Sequence, residues 1–325
     1  MKIAINGLGR IGRMTLRALQ NKAGIEVVAV NDLTDADTLA HLLKFDSIHG
    51  PFPGQVGREA DDLLVNGNRI KLISERDPEK LPWKALGVDA VIEATGRFTN
   101  KNAAEAHLRA GARKVLITAP AGNDVKTIVY GVNNELIGND AIYSTASCTT
   151  NCIAPVLYVL DKTYGIESGY MVTVHAFTAD QNLQDAPHRD LRRARAAINN
   201  IIPTSTGAAK AIGEVLPNLK GKLDGHSYRV PVIDGSIIDL SINLRQEASA
   251  DEVKAVLKDY AENSLKGIMA YTEEALVSSD ILGNTHSAIV DASLTRSIGK
   301  LVKVVAWYDN EIGISNRIAE LISRI

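Results

Sequence analysis

A glycine-rich turn near the start sets the first constraint on what this chain folds into. Gly7-Leu8-Gly9-Arg10-Ile11-Gly12 directly follows the strand-like run Lys2 to Asn6 and opens a helical pattern from Ile11 to Asn21. A second strand-like run, Val27 to Asn31, ends at Asp32, twenty residues past the last glycine. Strand, glycine turn, helix, strand and terminal acid at this spacing describe a βαβ unit that binds dinucleotides. The glycines let backbone approach a pyrophosphate, and the acid hydrogen-bonds the adenosine ribose hydroxyls. A carboxylate at Asp32 repels a 2′-phosphate, so the expected cofactor is NAD rather than NADP. Arg10 and Arg13 have a second reading as solvated helix charges, and for Arg13 that reading is preferred.

The rest of the first half keeps the same alternation. Strands are expected at Val88 to Thr95, Lys114 to Thr118, Thr127 to Val132 and Ala141 to Thr145, with a helix over Ala103 to Ala110 stopped at Gly111. Such alternation implies a parallel sheet covered by helices. Asn66-Gly67, between Leu63-Leu64-Val65 and Ile70-Lys71-Leu72, reads as a hairpin inserted into that scheme. The second half changes character. Strands at Tyr170 to Ala176, Tyr228 to Ile233, Ile237 to Leu244 and Leu301 to Trp307 follow one another more directly, with helices at Gly207 to Leu216 and Ala250 to Ser264. The expected class is α/β: an N-terminal Rossmann dinucleotide-binding domain, then an α+β domain with a mixed, largely antiparallel sheet. The domain bounds expected are 1–147 and 148–310, with a terminal helix over 311–325.

Composition removes several classes of function. A chain of 325 residues with 45% hydrophobic content can fill one large core or two. Its net charge of −2 offers no general attraction to nucleic acid or anionic membrane. The longest apolar stretches are strand-length, so no bilayer span is expected. Asn6-Gly7 follows Met1 too closely for a signal-peptide core, and two cysteines four apart suit neither a disulfide framework nor, alone, a zinc site. No metal is expected, and the compartment expected is the reducing cytosol.

Cys148 carries the chemistry. It lies in Ser147-Cys148-Thr149-Thr150-Asn151-Cys152, after the strand-like Ala141 to Thr145 and before the apolar helical run Ile153 to Leu160. A serine before the first helical turn acts as an N-cap, which leaves Cys148 beside free N–H groups and the positive end of the helix dipole. That setting is expected to lower the thiol pKa. His175, twenty-seven residues on at the end of a strand, is a candidate base for it. Taken alone, the pair is equally a buried cysteine and a satisfied core histidine. Joined to a nicotinamide site, an activated thiol points to one chemistry: addition to an aldehyde, loss of hydride, and cleavage of the resulting thioester.

Three motifs then carry a resemblance. Asn6 to Arg13, Ser147 to Cys152, and Thr204-Ser205-Thr206-Gly207-Ala208-Ala209-Lys210 closely resemble phosphorylating glyceraldehyde-3-phosphate dehydrogenase, with similarity running from Ile3 to Arg317. The resemblance implies a homotetramer and a C-terminal helix that returns to the first domain. It implies Cys148 as nucleophile and His175 as its activator and proton relay. Gly7, Gly9, Arg10, Ile11, Gly12 and Asp32 would meet the cofactor, with Arg76 and Thr118 in the same cleft and Asn310 on the nicotinamide carboxamide. Thr178, Asp180 and Arg229 match a substrate-phosphate site. Ser147, Thr149, Thr206, Gly207 and Arg193 match the site of the attacking phosphate. Hydroxyls, N–H groups at a helix start and an arginine fork all suit phosphate oxygens. The stretch Thr178 to Asn200 would be an S-shaped loop at the tetramer centre, which is a better home for Arg189, Arg192, Arg193 and Arg195 than a nucleic-acid patch.

The chain departs from the family pattern in three places. Ile312 and Ile314 stand where a tryptophan and a tyrosine are usual, Ala186 replaces a bulkier apolar residue before Pro187, and Gly225-His226-Ser227-Tyr228 precedes Arg229. The expected reaction is NAD-dependent conversion of D-glyceraldehyde 3-phosphate and inorganic phosphate to 1,3-bisphosphoglycerate. Three rivals stay open at this point. One is an erythrose-4-phosphate dehydrogenase, which would lack the Thr-Gly pair and the substrate-phosphate threonine. The others are a non-catalytic NAD- or RNA-binding regulator, and a redox sensor built on Cys148 and Cys152.

Overall fold

The protein is described from a computed structural model, which covers residues 1–20 and 22–325. The chain forms two compact units. The first comprises Met1–Ile128, Asn134–Ala146 and Ser315–Ile325, and the second Val129–Asn133 and Ser147–Ile314.

In the first unit, β1 (Lys2–Asn6), α1 (Arg10–Leu19), β2 (Glu26–Asn31), α2 (Ala36–Lys44), β3 (Val56–Glu59), β4 (Asp62–Val65), β5 (Asn68–Ile73), α3 (Trp83–Leu86), β6 (Ala90–Glu93), α4 (Lys101–Arg109), β7 (Lys114–Ile117), β8 (Lys126–Thr127) and β9 (Ile142–Ser144) follow in order. Among the described residues they make a sheet ordered β3-β4-β5-β2-β1-β6-β7-β9-β8. Every pairing from β5 to β8 is parallel, and the β3-β4-β5 edge is antiparallel. Central strands such as β6 are buried at every residue, as parallel strands covered on both faces must be. The strand order reverses direction between β1 and β6. In open parallel sheets, the loops leaving the strand ends at such a point frame the ligand crevice.

In the second unit, α5 (Cys148–Tyr164), β10 (Ile166–Ala176), β11 (Ile202–Ser205), α6 (Ala208–Val215), β12 (Leu223–Val230), β13 (Ser236–Leu244), α7 (Ala250–Glu262), β14 (Met269–Thr272), β15 (Ala288–Ile298) and β16 (Leu301–Tyr308) follow; α8 (Ile312–Ile322) starts here and from Ser315 on belongs to the first unit. The sheet order is β11-β12-β10-β13-β16-β15-β14, with parallel pairing only at β10-β12 and β14-β15. Burial alternates along β13, so one face of this sheet meets the core and the other is open. This is the mixed, largely antiparallel sheet that the sequence predicts, and the first unit is the predicted Rossmann unit.

Several local expectations are corrected. The expected strand Thr127 to Val132 shrinks to the two residues of β8. Gly131 adopts φ 90° and the Asn133 side chain accepts the Val129 N–H at 2.8 Å, which turns the chain and ends the ladder. Arg13 is not a solvated charge: it is buried, and its guanidinium donates to the Leu8 carbonyl at 2.8 Å, bracing the glycine turn. The helix expected from Ile11 to Asn21 is described from Arg10 to Leu19, and Asn21 lies outside the described residues. α2 was missed, although Asp35 caps it by accepting the Thr38 N–H at 2.9 Å. The Asn66-Gly67 hairpin joins β4 to β5, both turn residues having positive φ.

Candidate active site

The cofactor cleft is built from loops at the strand ends of the first unit. A cavity of about 330 Å³ is lined by Asn6, Gly7 and Gly9 at the end of β1 and past it, Asn31, Asp32 and Leu33 at the end of β2 and past it, Glu75, Arg76 and Pro78 after β5, and Ala94, Thr95, Arg97 and Phe98 after β6. These are the loops that the strand-order reversal brings together. The three glycines have distinct duties. A Cβ on Gly12 would meet the Gly7 carbonyl oxygen at 2.1 Å, so helix and turn close only around glycine. Gly7 has φ 93° and lies against Thr95. Gly9 has nothing within 4 Å of where its Cβ would be, which leaves its backbone open to a ligand. Asp32 accepts the Leu8 N–H at 2.8 Å and the Thr34 N–H at 3.0 Å, so its carboxylate holds the glycine turn while lining the cavity. A dinucleotide fits this donor set: open backbone for phosphate and an anchored carboxylate for ribose hydroxyls.

Gly7, Gly9, Asp32 and Arg76 therefore line one cavity, whereas Arg10, Ile11, Gly12 and Thr118 are not on its wall. The Arg10 guanidinium pairs with Asp46 in a salt bridge. Thr118 donates its hydroxyl to the Glu93 carbonyl at 3.0 Å. Sequence reasoning missed Asn6, Asn31, Thr95, Arg97 and Phe98. Their one sequence signal is position, at or just past the ends of buried strands.

In the second unit, Cys148 opens α5. Ala146 just before it adopts φ 60°, a left-handed conformation that alanine takes only under strain, and Ser147 then caps the helix by accepting the Thr150 N–H at 3.1 Å. Cys148 Sγ lies 3.5 Å from His175 Nε2. His175 Nδ1 lies 2.7 Å from the Ala176 carbonyl oxygen and 3.1 Å from Arg229 Nη1. In the tautomer that donates from Nδ1 to that carbonyl, the lone pair of Nε2 faces the sulfur, as a base requires. Arg229 donates to the same carbonyl at 3.0 Å and to Thr178 Oγ1 at 3.3 Å.

The expectation of a lowered thiol pKa is corrected. Burial pushes the Cys148 thiol up, outweighing the Arg229 guanidinium and the Thr149 N–H and hydroxyl, which favour the thiolate. Burial, followed by Arg229, brings His175 down to about 3. Both shifts favour the uncharged pair, a thiol beside a neutral imidazole. Cys152 is fully buried, and its thiol is pushed well up by that burial.

Tyr308 completes this cluster and was missed as a functional residue. Its hydroxyl lies 2.9 Å from Thr149 Oγ1 and 3.0 Å from Thr173 Oγ1, and its ring meets His175 edge to face at 5.8 Å. Ser236 accepts the Ala176 N–H at 3.0 Å and donates to Asn310 Oδ1 at 2.7 Å, so that oxygen is engaged and the amide nitrogen is the donor end of the side chain. Arg193 pairs with Asp180 and donates to Thr204 Oγ1 at 3.0 Å. The Arg229 Nε is buried and has no hydrogen-bond partner among the described residues. Thr206 and Gly207 stand at the start of α6, where the Thr206 hydroxyl accepts the Ala208 N–H at 3.3 Å. The long loop over 178–200 is tied by its own bonds, including Arg195 Nε to Asp185 at 2.7 Å.

No helix among the described residues is long and apolar enough to cross a membrane. The family model for the glyceraldehyde 3-phosphate dehydrogenase NAD-binding domain matches residues 1–101, and that for its C-terminal domain matches residues 147–310. The chain is 55% identical over 333 residues to the glyceraldehyde-3-phosphate dehydrogenase of Mycobacterium tuberculosis (strain ATCC 25618 / H37Rv), covering 100% of this chain and 98% of that one. It is 55% identical over 328 residues to the enzyme of that name from Geobacillus stearothermophilus, covering 100% and 98%. The corresponding protein of Clostridium acetobutylicum is 53% identical over 329 residues, covering 99% and 97%. The chain belongs to the glyceraldehyde-3-phosphate dehydrogenase family of NAD-dependent oxidoreductases.

Proposed function

We propose that this chain oxidises D-glyceraldehyde 3-phosphate with NAD and inorganic phosphate, releasing 1,3-bisphosphoglycerate, as a step of glycolysis and gluconeogenesis. The observation that carries the reading is the Cys148–His175 pair, 3.5 Å apart at the start of α5, in a chain whose other unit holds a dinucleotide cleft.

His175 Nε2 takes the thiol proton as Cys148 Sγ adds to the aldehyde carbon. Thr149, at the positive end of α5, supports the developing negative charge. NAD, when bound, supplies the hydride acceptor through which the Cys148 adduct becomes a thioester. Gly7, Gly9, Ile11 and Gly12 would hold its phosphates through backbone, Asp32 its adenosine ribose, and Asn310 its carboxamide through the amide nitrogen. Arg10, engaged with Asp46, would contribute backbone only, and Arg76 and Thr118 would flank the adenosine side.

Thr178, Asp180 and Arg229 are proposed to hold the substrate phosphate. The orphaned Arg229 Nε supports this, because a buried guanidinium edge without a partner is a place for an anionic oxygen. Asp180 serves by pairing with Arg193 rather than by meeting phosphate. Ser147, Thr149, Thr206, Gly207 and Arg193 are proposed for the attacking phosphate, which cleaves the thioester. A homotetramer in the cytosol is part of the proposal. Support comes from the 178–200 loop and the residue after it, where Leu191 is 82% and Ile201 69% exposed, apolar surface that a second copy would cover.

The test is NADH formation from D-glyceraldehyde 3-phosphate and from erythrose 4-phosphate, each with NAD or NADP. The triose phosphate with NAD should give the highest kcat/KM. A preference for the tetrose, or no turnover of either, would refute the proposal.

A further inference from the structure

Beneath the floor of the cofactor cavity a single line of buried polar side chains crosses the sheet. Trp83 Nε1 donates to His107 Nδ1 at 3.1 Å. An indole N–H can only donate, so the His107 proton is on Nε2, and Nε2 donates to Glu93 Oε2 at 3.0 Å. Asn6 Nδ2 donates to the same oxygen at 2.6 Å. Asn31 Nδ2 then donates to Asn6 Oδ1 at 2.7 Å, and Asn31 Oδ1 accepts the Glu75 N–H at 2.9 Å. The other Glu93 oxygen accepts the Thr95 N–H at 2.8 Å and also the Thr95 hydroxyl. Trp83, His107, Glu93 and Asn6 are all buried.

The order of links follows the order of strands, from the loop after β5 through the ends of β2, β1 and β6 to α4 and α3. Four of the loops it ties are the four that line the cavity, and Asn6, Asn31, Glu75 and Thr95 are on its wall. Glu93 is the junction. Four donors converge on it, so it acts as an acceptor-only carboxylate, and burying such a group is costly unless every oxygen is used. One oxygen holds Asn6 and the other holds Thr95. Thr95 in turn supports the glycine turn: a Cβ on Gly7 would lie 2.9 Å from both Thr95 Cγ2 and Thr95 N. The spacing between the loops after β1 and β6 is thus fixed by one carboxylate.

We propose that Glu93 is a positioning residue for NAD binding, held in orientation by His107 and Trp83, and that this line of side chains sets the cleft before the cofactor arrives. The proposal rests on the reading of this cavity as the NAD site. Glu93→Gln is the informative change. A carboxamide has one accepting oxygen and one donating nitrogen, so the nitrogen must face either Thr95 N–H or the Asn6 and His107 donors. One arm of the junction then opens.

The experiment titrates the full-length enzyme with NAD by calorimetry and measures amide exchange at Thr95 without cofactor. For Glu93→Gln the Kd for NAD should rise about tenfold or more, with faster Thr95 exchange. KM for NAD should rise by the same factor, while kcat at saturating NAD falls less than about threefold, as expected when binding rather than chemistry is lost. His107→Phe should give an intermediate rise and Trp83→Phe, at the far end, the smallest. Should Glu93→Gln not fold, His107→Phe carries the same test. A folded variant at either position that binds NAD within twofold of the parent, or that loses melting temperature without any change in Kd, overturns the proposal. A parent enzyme that binds no NAD at all would instead sink the reading of the cavity.

Discussion

The cofactor cleft and the cysteine cluster satisfy their polar groups in opposite ways. In the cleft, Asp32, Glu93, Asn6 and Asn31 find partners within their own unit. In the cluster, the Cys148 thiol is held up, His175 is held down to about 3, and Arg229 keeps an unpartnered buried Nε. The first arrangement stores geometry, and the second stores unmet polarity that an incoming anion or aldehyde relieves. A site that only binds is best finished in advance. A site that must move a proton and host developing charge does better with its groups poised against each other.

Each side of that contrast can be broken separately. The largest effect is expected at the nucleophile: Cys148→Ser should lower dehydrogenase kcat by about 10⁴-fold or more while NAD binding, followed by calorimetry, stays at the parent value. Turnover retained by that variant would remove the thioester route. His175→Asn comes next. Losing the acceptor beside the sulfur should slow acylation roughly 10²- to 10⁴-fold in single-turnover measurements. A rate near the parent's would mean the 3.5 Å contact carries no proton.

On the cleft side, Asp32→Ala should reduce the NAD-over-NADP ratio of kcat/KM by about 10- to 100-fold, the worth of a charge-assisted hydrogen bond to the ribose. An unchanged ratio would place cofactor choice elsewhere. Arg229→Ala tests the electrostatic coupling. Arg229 lowers both Cys148 and His175, so its removal should raise both. Alkylation of Cys148 against pH should then inflect at higher pH than in the parent, and KM for the aldehyde should rise about tenfold. A downward shift would contradict the assignment.

The smallest effect concerns stability. Burial, and Asp309 beside it, push Asp234 up to about 8. Its folded pKa is above the ordinary carboxylate value, so the stabilising contribution is full below about pH 4 and is lost as pH rises toward 8. Asp234→Asn, which keeps a donor toward Asp309, should flatten that part of the stability–pH curve in urea titrations. A variant whose curve parallels the parent's would show that Asp234 is not held protonated.

What was legible in the sequence follows the same division. Gly7, Gly12 and Asp32 announce themselves because their constraints are local: a turn, a close approach, an acid at a strand end. The Ser147 cap and the helix from Cys148 are equally local. Tyr308, Ser236 and Glu93 were not legible, because each works through partners 60 to 159 residues away that only the sheet registers bring near. Ala146 gives no sign of its left-handed turn, since alanine carries none of the usual turn chemistry. The direction of the Cys148 shift was missed for a related reason: a helix start is visible in sequence, but the burial that outweighs it is not.

The most direct test of the central claim mixes enzyme, NAD and D-glyceraldehyde 3-phosphate in phosphate-free buffer, follows NADH, and then adds inorganic phosphate. A thioester on Cys148 awaiting phosphate predicts a burst of one NADH per chain, an acyl group on the Cys148 peptide by mass spectrometry, and rapid turnover once phosphate is present. Continuous full-rate NADH production without phosphate, with free acid as product, would contradict it.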